Sequence, residues 1–575
     1  MSPWIKPLSK ARESLGPRLE SLTKSPGQMA IVFICITFLL YGNKVIEGGF
    51  VGDDCSHLAY AATHTLLEAF TDRQAMLDQS YAHITPMLSA AFMLAVGIFG
   101  LNDHGHYLLS VSMILLTGFA TWFFIRQFVN ASAALAGSLL WLTATEVNHV
   151  VSSLSTIQYA LGLLFTVICL LSISKFSRGS RLWPVIATVT YAMACLSKEI
   201  YVPIVVVAWF WPRFSSYERL CIALPMTCIA VLYTFLRVWL FDGIGGYSSL
   251  YDPVDLGQRL LTGLDSLRKL LIGNKPTLWA AKVAVGIVLV HGLIWGRRPA
   301  PLFMLVCIFC LVAPIAQVLA LGNLTSERLS YLIAWCLAMF AVWTANGSPV
   351  RIGLLFGAIC FQTISMLEQV PVDNFLSRHK IENRYLVDSP SNAAPLFTPR
   401  SPWIVYLNST SLARSVIQGD RPPMVVSSID GLTDLSTPGA ESAVHWDPQC
   451  KCLQPLGTSI WNLVEAERDG LLRGSGIEWS GEIRLERRRE RHYTLSWQIN
   501  SHTAQHSIEI KNLGHFDLPN SGSRSFGRDT TFDLPSTIHV RARADLASGA
   551  ILQTPWMEMS TVASSSVTWG KRERD

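Results

Sequence analysis

Between residues 30 and 370 the chain is a succession of apolar runs broken by short charged stretches, and no other feature restricts its fold as much. A helix needs roughly 20 apolar residues to cross a bilayer, with about 17 to 25 tolerated. The first runs are Met29–Tyr41 (extended to about Ile46), Tyr107–Ile125, Ala131–Thr145 and Ile157–Ser174. Leu182–Leu196, Ile200–Trp211, Leu220–Phe241 and Leu278–Trp295 follow, then Pro301–Leu321, Leu329–Val342 and Ile352–Met366. The expected architecture is therefore an α-helical polytopic membrane domain of about eleven transmembrane helices. Pro86–Phe99 is short for a span and reads as a helix lying at the interface.

Composition agrees. Of 575 residues, 50% are hydrophobic and 15% charged, against roughly 25% charged in soluble chains. The deficit is confined to the apolar region, and residues 371–575 resemble an ordinary soluble chain. A net charge of +5 over this length is no nucleic-acid footprint. Residues 1–28 are polar and long for a signal-peptide n-region, and no small-x-small cleavage site follows, so the first run reads as a retained helix.

Lys and Arg set an expected orientation. Lys6, Lys10, Arg12, Arg18 and Lys24 precede the first run. If that end is cytoplasmic, the inside loops carry Arg126, Lys175, Arg178, Arg181, Arg213, Arg219, Arg297, Arg298 and Arg351. The short outside turns then hold few cations, and an odd number of crossings leaves the C-terminal part on the outer, periplasmic face. The simplest such membrane is a bacterial inner membrane. Arg237 and Lys282 lie inside two runs, near enough to the ends to snorkel.

On that map the unusual polar residues share one side: Asp53 and Asp54, His83, Glu146 and His149, Lys198 and Glu199, and Glu327, Arg328 and Tyr331. Ionisable groups near a bilayer cost about 2.5–3.5 kcal/mol each at a helix centre, so their grouping points to a shared polar cavity. Each also has an ordinary reading. Lys198–Glu199 fits a solvated turn with a weak ion pair, and Asp53–Asp54 fits an Asx turn. Glu327–Arg328 fits a helix-start carboxylate beside an interfacial Arg, and Glu146 and His149 fit helix-end decoration.

Four segments together resemble the GT-C class of membrane glycosyltransferases, whose first outer loop carries an acidic pair. Gly52-Asp53-Asp54 follows the first run. Ile84-Thr85-Pro86, then Phe99-Gly100-Leu101-Asn102 and Gly105-His106-Tyr107, is similar to the R-P-L…G-L-N-P-x-G-x-H stretch of protein O-mannosyltransferase relatives that carry TPR repeats. Leu196-Ser197-Lys198-Glu199 matches that branch's L-S-K-E turn, and Ser326–Tyr331 resembles its E-R-x-x-Y motif. The family's Arg before Pro is Thr85 here, and no period near 34 residues follows.

The resemblance implies transfer of a hexose or pentose from a polyprenyl-phosphate donor to a glycan, lipid or protein acceptor, with inversion. It casts Asp53 or Asp54 as general base. Arg328 and then Lys198 would hold the donor phosphate, since a guanidinium fork suits phosphate. Glu199 and Glu327 would support these cations, with Tyr331, His83, Glu146 and His149 as further cavity residues. A divalent metal bridging Asp53, Asp54 and the phosphate is the disfavoured alternative, and no cofactor is expected. The rival readings are a non-catalytic lipid-linked-sugar transporter or flippase, a glycan polymerase or ligase, and a membrane scaffold with a degenerate GT-C fold. Fold analogy alone does not decide among them.

The expected domains are a cytoplasmic tail (1–28), the membrane domain (29–370), a mixed outer-face segment (371–476) and a mostly β, sandwich-like soluble domain (477–575). Within the last two, Trp403–Leu407 and Met424–Ser427 read as buried strands. His492–Ile499, Ser507–Ile510 and Thr537–Ala542 alternate as strands do. Ten of the twelve cysteines, Cys35 to Cys360, lie in or beside apolar runs and read as core thiols. Cys450 and Cys452 have too few neighbouring ligands for a metal and suit a structural or disulfide role.

Overall fold

The computed structural model describes residues 25–80, 83–176, 182–211, 214–241, 276–295, 331–367, 374–390, 393–397, 404–419, 422–426 and 443–447. It further describes 450, 452–455, 480–489, 492–500, 505–510, 514–518, 521–526, 537–545, 551–553, 557–560 and 565–569. The chain divides into two compact units. The first holds residues 1–48, 82–91 and 102–370, and the second holds 49–81, 92–101 and 371–575.

The first unit is helical. Ser25 caps α1 (Pro26–Glu47), with Pro26 in the first turn, where its missing N–H costs nothing. Then come α6 (Asp103–Ile125), α7 (Ala131–Leu142), α8 (Thr145–Ser152), α9 (Ile157–Phe176), α10 (Leu182–Ser197) and α11 (Val205–Trp209). The helices α12 (Ser216–Phe241), α13 (Pro276–Trp295), α14 (Tyr331–Ala345) and α15 (Pro349–Leu367) follow. α1 packs on α6, α6 on α7 and α9, α9 on α10, and α14 and α15 on α7. Buried Trp122, Trp141, Tyr201 and Tyr331 fill the interior. Trp335 Nε1 donates to Thr121 Oγ1 at 3.0 Å, and Tyr201 Oη to the Tyr159 carbonyl at 2.6 Å.

Among the described residues, five helical stretches are long and apolar enough to cross a membrane: Pro26–Glu47, Asp103–Ile125, Leu154–Phe176, Ser216–Phe241 and Pro349–Met366. They expose large apolar side chains outward, among them Leu39 (80%), Phe235 (68%) and Leu232 (66%). Water would not tolerate so much contiguous apolar surface. The protein is an integral membrane protein. Of the other six runs marked by the sequence, five form shorter helices and Pro301–Leu321 lies outside the described residues. Ile200–Trp211 differs most: it is a 3-10 turn (Glu199–Ile204) leading into the five-residue α11. Pro203 inside the turn removes a backbone donor and shortens the α-helix. Pro86–Phe99 forms α5, 14 residues long. At about 1.5 Å per residue it reaches about 21 Å, short of a hydrocarbon core of about 30 Å.

The second unit contains three short helices, α2 (Asp53–Thr63), α3 (Leu66–Thr71) and α4 (Arg73–Gln79), and two later ones, α16 (Asn374–Asp388) and α17 (Ile404–Gln418). The strands β1 (Leu396–Phe397), β2 (Val425–Val426), β3 (Val444–Asp447) and β4 (Cys452–Pro455) form a sheet ordered β2-β1-β3-β4, parallel except for the β3–β4 pair. Cys450 and Cys452 are disulfide-bonded. Trp403–Leu407 is not a strand; from Ile404 on it belongs to α17. Its β-branched and aromatic residues suit a pleated surface. The buried positions Leu407, Thr410, Ala413 and Arg414, however, recur every three to four residues, the period of a helix face.

Farther on, β5 (Ser480–Arg489), β6 (His492–Asn500), β9 (Ser521–Phe526) and β13 (Ser565–Trp569) make one antiparallel sheet, ordered β13-β5-β6-β9. The strands β7 (Gln505–Ile510), β8 (Gly514–Leu518), β10 (Thr537–Asp545), β11 (Ile551–Gln553) and β12 (Met557–Ser560) make a second antiparallel sheet.

Gly162 of α9 faces the Tyr201 ring so closely that an added Cβ would overlap it. Overpacking of this kind costs about 1–3 kcal/mol. Gly162→Ala is therefore expected to lower the unfolding midpoint of the detergent-solubilised protein by several degrees, read by fluorescence size-exclusion after heating.

Candidate active site

The acidic pair opens a helix. Gly52 precedes α2 with φ +52°, a conformation that penalises any residue with a Cβ. The following turn is α-helical, so Asp53 and Asp54 stand on its first two positions, where the helix dipole favours negative charge. Their environments differ. Asp54 is fully buried, and its Oδ2 accepts from the Val51 N–H at 3.1 Å, tying the carboxylate back to its own loop. Asp53 is half-buried and its Oδ1 accepts from the Tyr406 hydroxyl at 2.9 Å.

Tyr406 arrives on α17, which packs against α2. A polar network braces that packing. Asn383 of α16 donates from Nδ2 to the Phe50 carbonyl at 3.0 Å, and Thr410 donates to Asn383 Oδ1 at 2.6 Å. His379 Nε2 lies 3.1 Å from Asn383 Nδ2. Burial, with a smaller contribution from the Arg378 charge, pushes the His379 imidazole down to about 3. Burial also holds the Cys55 thiol well above its ordinary range, so it is a neutral neighbour of the acidic pair.

The first unit brings together a second set. His83 Nδ1 lies 2.7 Å from Glu199 Oε1, and Lys198 Nζ lies 3.8 Å from the same oxygen. Lys198 is 2% exposed, and its ammonium sits 5.6 Å from the centre of the Tyr159 ring. Arg237 of α12 acts electrostatically on both His83 and Glu199. Arg237, whose place in the sequence suggests a snorkelling side chain, is buried at 9% exposure. The signal available was its position in an apolar run, where a charge calls for a partner. Burial and the two cations outweigh Glu199 and hold His83 below the ordinary imidazole range. Burial opposes ionisation of Glu199, but His83, Lys198 and Arg237 overcome it and hold its carboxyl well below the usual range.

Tyr331 is buried with its ring 5.6 Å from Trp141 and 6.4 Å from Tyr159, and its hydroxyl has no hydrogen-bond partner among the described residues. Glu146 is buried on α8 and accepts from the Thr145 hydroxyl at 3.2 Å, whereas His149 on the same helix is exposed. Glu327 and Arg328 lie outside the described residues. Among the described residues no group of three His, Cys, Asp or Glu side chains could hold a metal ion.

No protein-family profile matches the chain, and neither does any curated protein sequence. The structure is similar to ArnT from Cupriavidus metallidurans. The likeness is to two crystal structures, one bound to undecaprenyl phosphate (TM-score 0.43) and one in the apo state (TM-score 0.32). Both comparisons give 14% identity and cover 72% of this chain and 92% of ArnT. At that similarity no residue role passes from one chain to the other.

The depressed His379 makes a pH prediction for the acidic-pair unit. An imidazole that is neutral when folded and ordinary when unfolded leaves the unfolded chain with the extra proton between about pH 3 and the free value near 6.5. Stability therefore falls as pH drops through that window, by at most about 1.4 kcal/mol per pH unit. His379→Gln is expected to flatten the acid side of a midpoint-against-pH curve; an unchanged slope would show that other groups cause it.

Proposed function

We propose that this protein is a membrane glycosyltransferase of the GT-C type that takes a sugar from a polyprenyl-phosphate donor. The buried Lys198–Glu199–Arg237–His83 cluster carries the reading. Its lysine and arginine stand together at a buried site, and those are the side chains that hold phosphate, the group the donor would present. The L-S-K-E turn and the acidic pair after the first span support the same class.

In the reaction, an acceptor hydroxyl gives its proton to Asp53 or Asp54 and its oxygen attacks the anomeric carbon. The bond from that carbon to the phosphate oxygen breaks, and the polyprenyl phosphate leaves with the electron pair. Lys198 and Arg237, together with Arg328, stabilise the charge that develops there. Glu199 and Glu327 keep the cations oriented, and Tyr331 lines the lipid groove or donates to phosphate. A single displacement inverts the anomeric centre. No step requires a metal. Glu146 and His149 are lesser candidates for lining the cavity.

We further read the N-terminus as cytoplasmic and residues 371–575 as facing the periplasm of a bacterial inner membrane. The two antiparallel sheets are read as the faces of a sandwich that binds acceptor or docks a partner enzyme. The O-mannosyltransferase-like branch is the finer placement that the motifs favour.

The test uses full-length protein in membranes, supplied with a 14C-labelled lipid extract from cells that lack it. Those cells are expected to accumulate the labelled donor, and wild-type protein to move the label out of the lipid fraction. Lys198→Ala and Arg237→Ala should each raise half-saturation by the extract at least tenfold, the order of a lost charge-assisted contact. Unchanged half-saturation in both would remove the phosphate role. Asp53→Asn and Asp54→Asn bear on the base: full transfer by both, at normal protein levels, would refute it. A transporter would leave the label in the lipid fraction even with wild-type protein.

A further inference from the structure

The contact from Tyr406 to Asp53 joins residues 353 apart in the chain, within one compact unit. Two observations separate it from ordinary packing. First, the neighbouring contacts already fasten α17 and α16 to the loop before α2. Asn383 holds the Phe50 carbonyl and Thr410 holds Asn383, both buried. The Tyr406 hydroxyl is not needed for that join. Second, it selects one carboxylate of an adjacent pair. Asp54 is fully buried and bound to the Val51 N–H, a structural tie. Asp53 is only half-buried, and its Oδ1 is held by a phenol.

We propose that Tyr406 is a positioning residue for Asp53. The proposal rests on the reading of the acidic pair as the base. An aspartate carboxyl turns freely about its last torsion, whose wells are broad. A phenol fixed on Oδ1 stops that rotation and commits Oδ2 to the acceptor. The acceptor O–H bond then breaks toward Oδ2 as the new bond to the anomeric carbon forms, and the leaving phosphate takes the electron pair. Misplacement of a reacting group by about 1 Å can cost on the order of a hundredfold in rate; loss of one orienting contact should cost less. Asp54, by contrast, keeps the turn in shape, and an amide oxygen can accept the Val51 N–H as well as a carboxylate can.

The experiment compares Tyr406→Phe, Asp53→Asn, Asp54→Asn and Thr410→Val in the full-length protein, with the same 14C-labelled lipid extract. Turnover per folded molecule, half-saturation by the extract and unfolding midpoint are read for each. Tyr406→Phe is expected to lower turnover about tenfold with half-saturation and midpoint unchanged. Asp53→Asn should abolish turnover; loss of turnover in Asp54→Asn with Asp53→Asn active would overturn the choice of Asp53. Thr410→Val should lower the midpoint without lowering turnover per folded molecule. Wild-type turnover in Tyr406→Phe, with Asp53→Asn inactive, overturns the proposal and leaves the base reading standing. A Tyr406→Phe protein whose activity falls only as its folded amount falls also overturns it. Wild-type turnover in Asp53→Asn brings down the assignment of the base to Asp53 and the Tyr406 proposal together.

Discussion

Hydrocarbon offers no partner to a backbone N–H or C=O, so a chain that enters it must satisfy those groups within each segment. That constraint governs the first unit of this protein. It makes the apolar runs helices, pushes irregular backbone to their ends, and leaves buried charges only where they can meet one another. Lys198 shows the consequence. Its ammonium is 2% exposed, yet it lies beside Glu199 and over the face of Tyr159 rather than among aliphatic side chains. Arg237 enters the same cluster from within a long apolar helix.

The second unit solves a different problem. Its acidic helix is short, and a short helix is marginal without tertiary support. The support comes from far along the chain, through α17 packed on α2 and through the Asn383–Thr410 network at Phe50. The segment following the membrane region is therefore structurally joined to the loop that follows the first span. A carboxylate held on packed helices keeps its geometry better than one on a free loop.

Much of this was legible in the residues, and the misses have physical causes. The L-S-K-E turn and the Asp53–Asp54 pair stand out because charged residues interrupt apolar sequence. Arg237 was visible but misweighed, since only the structure shows that it turns inward. Trp403–Leu407 reads as a strand because four of its five residues are β-branched or aromatic, while the buried positions that mark a helix face extend farther on, to Thr410, Ala413 and Arg414. Tyr406 carried no signal, because a single hydrogen bond across 353 residues leaves no local pattern.

By itself, then, the sequence determined a membrane protein of many helices, with its polar residues gathered at their ends. Hydropathy is a local property, and about 20 residues are enough to express it. What only the tertiary structure decided was which polar groups meet. Asp53 and Asp54 are the same residue type side by side, yet one is tied to its own loop and the other to a tyrosine from the far end of the chain. That difference is set by packing across long separations, where residue type alone specifies no partner.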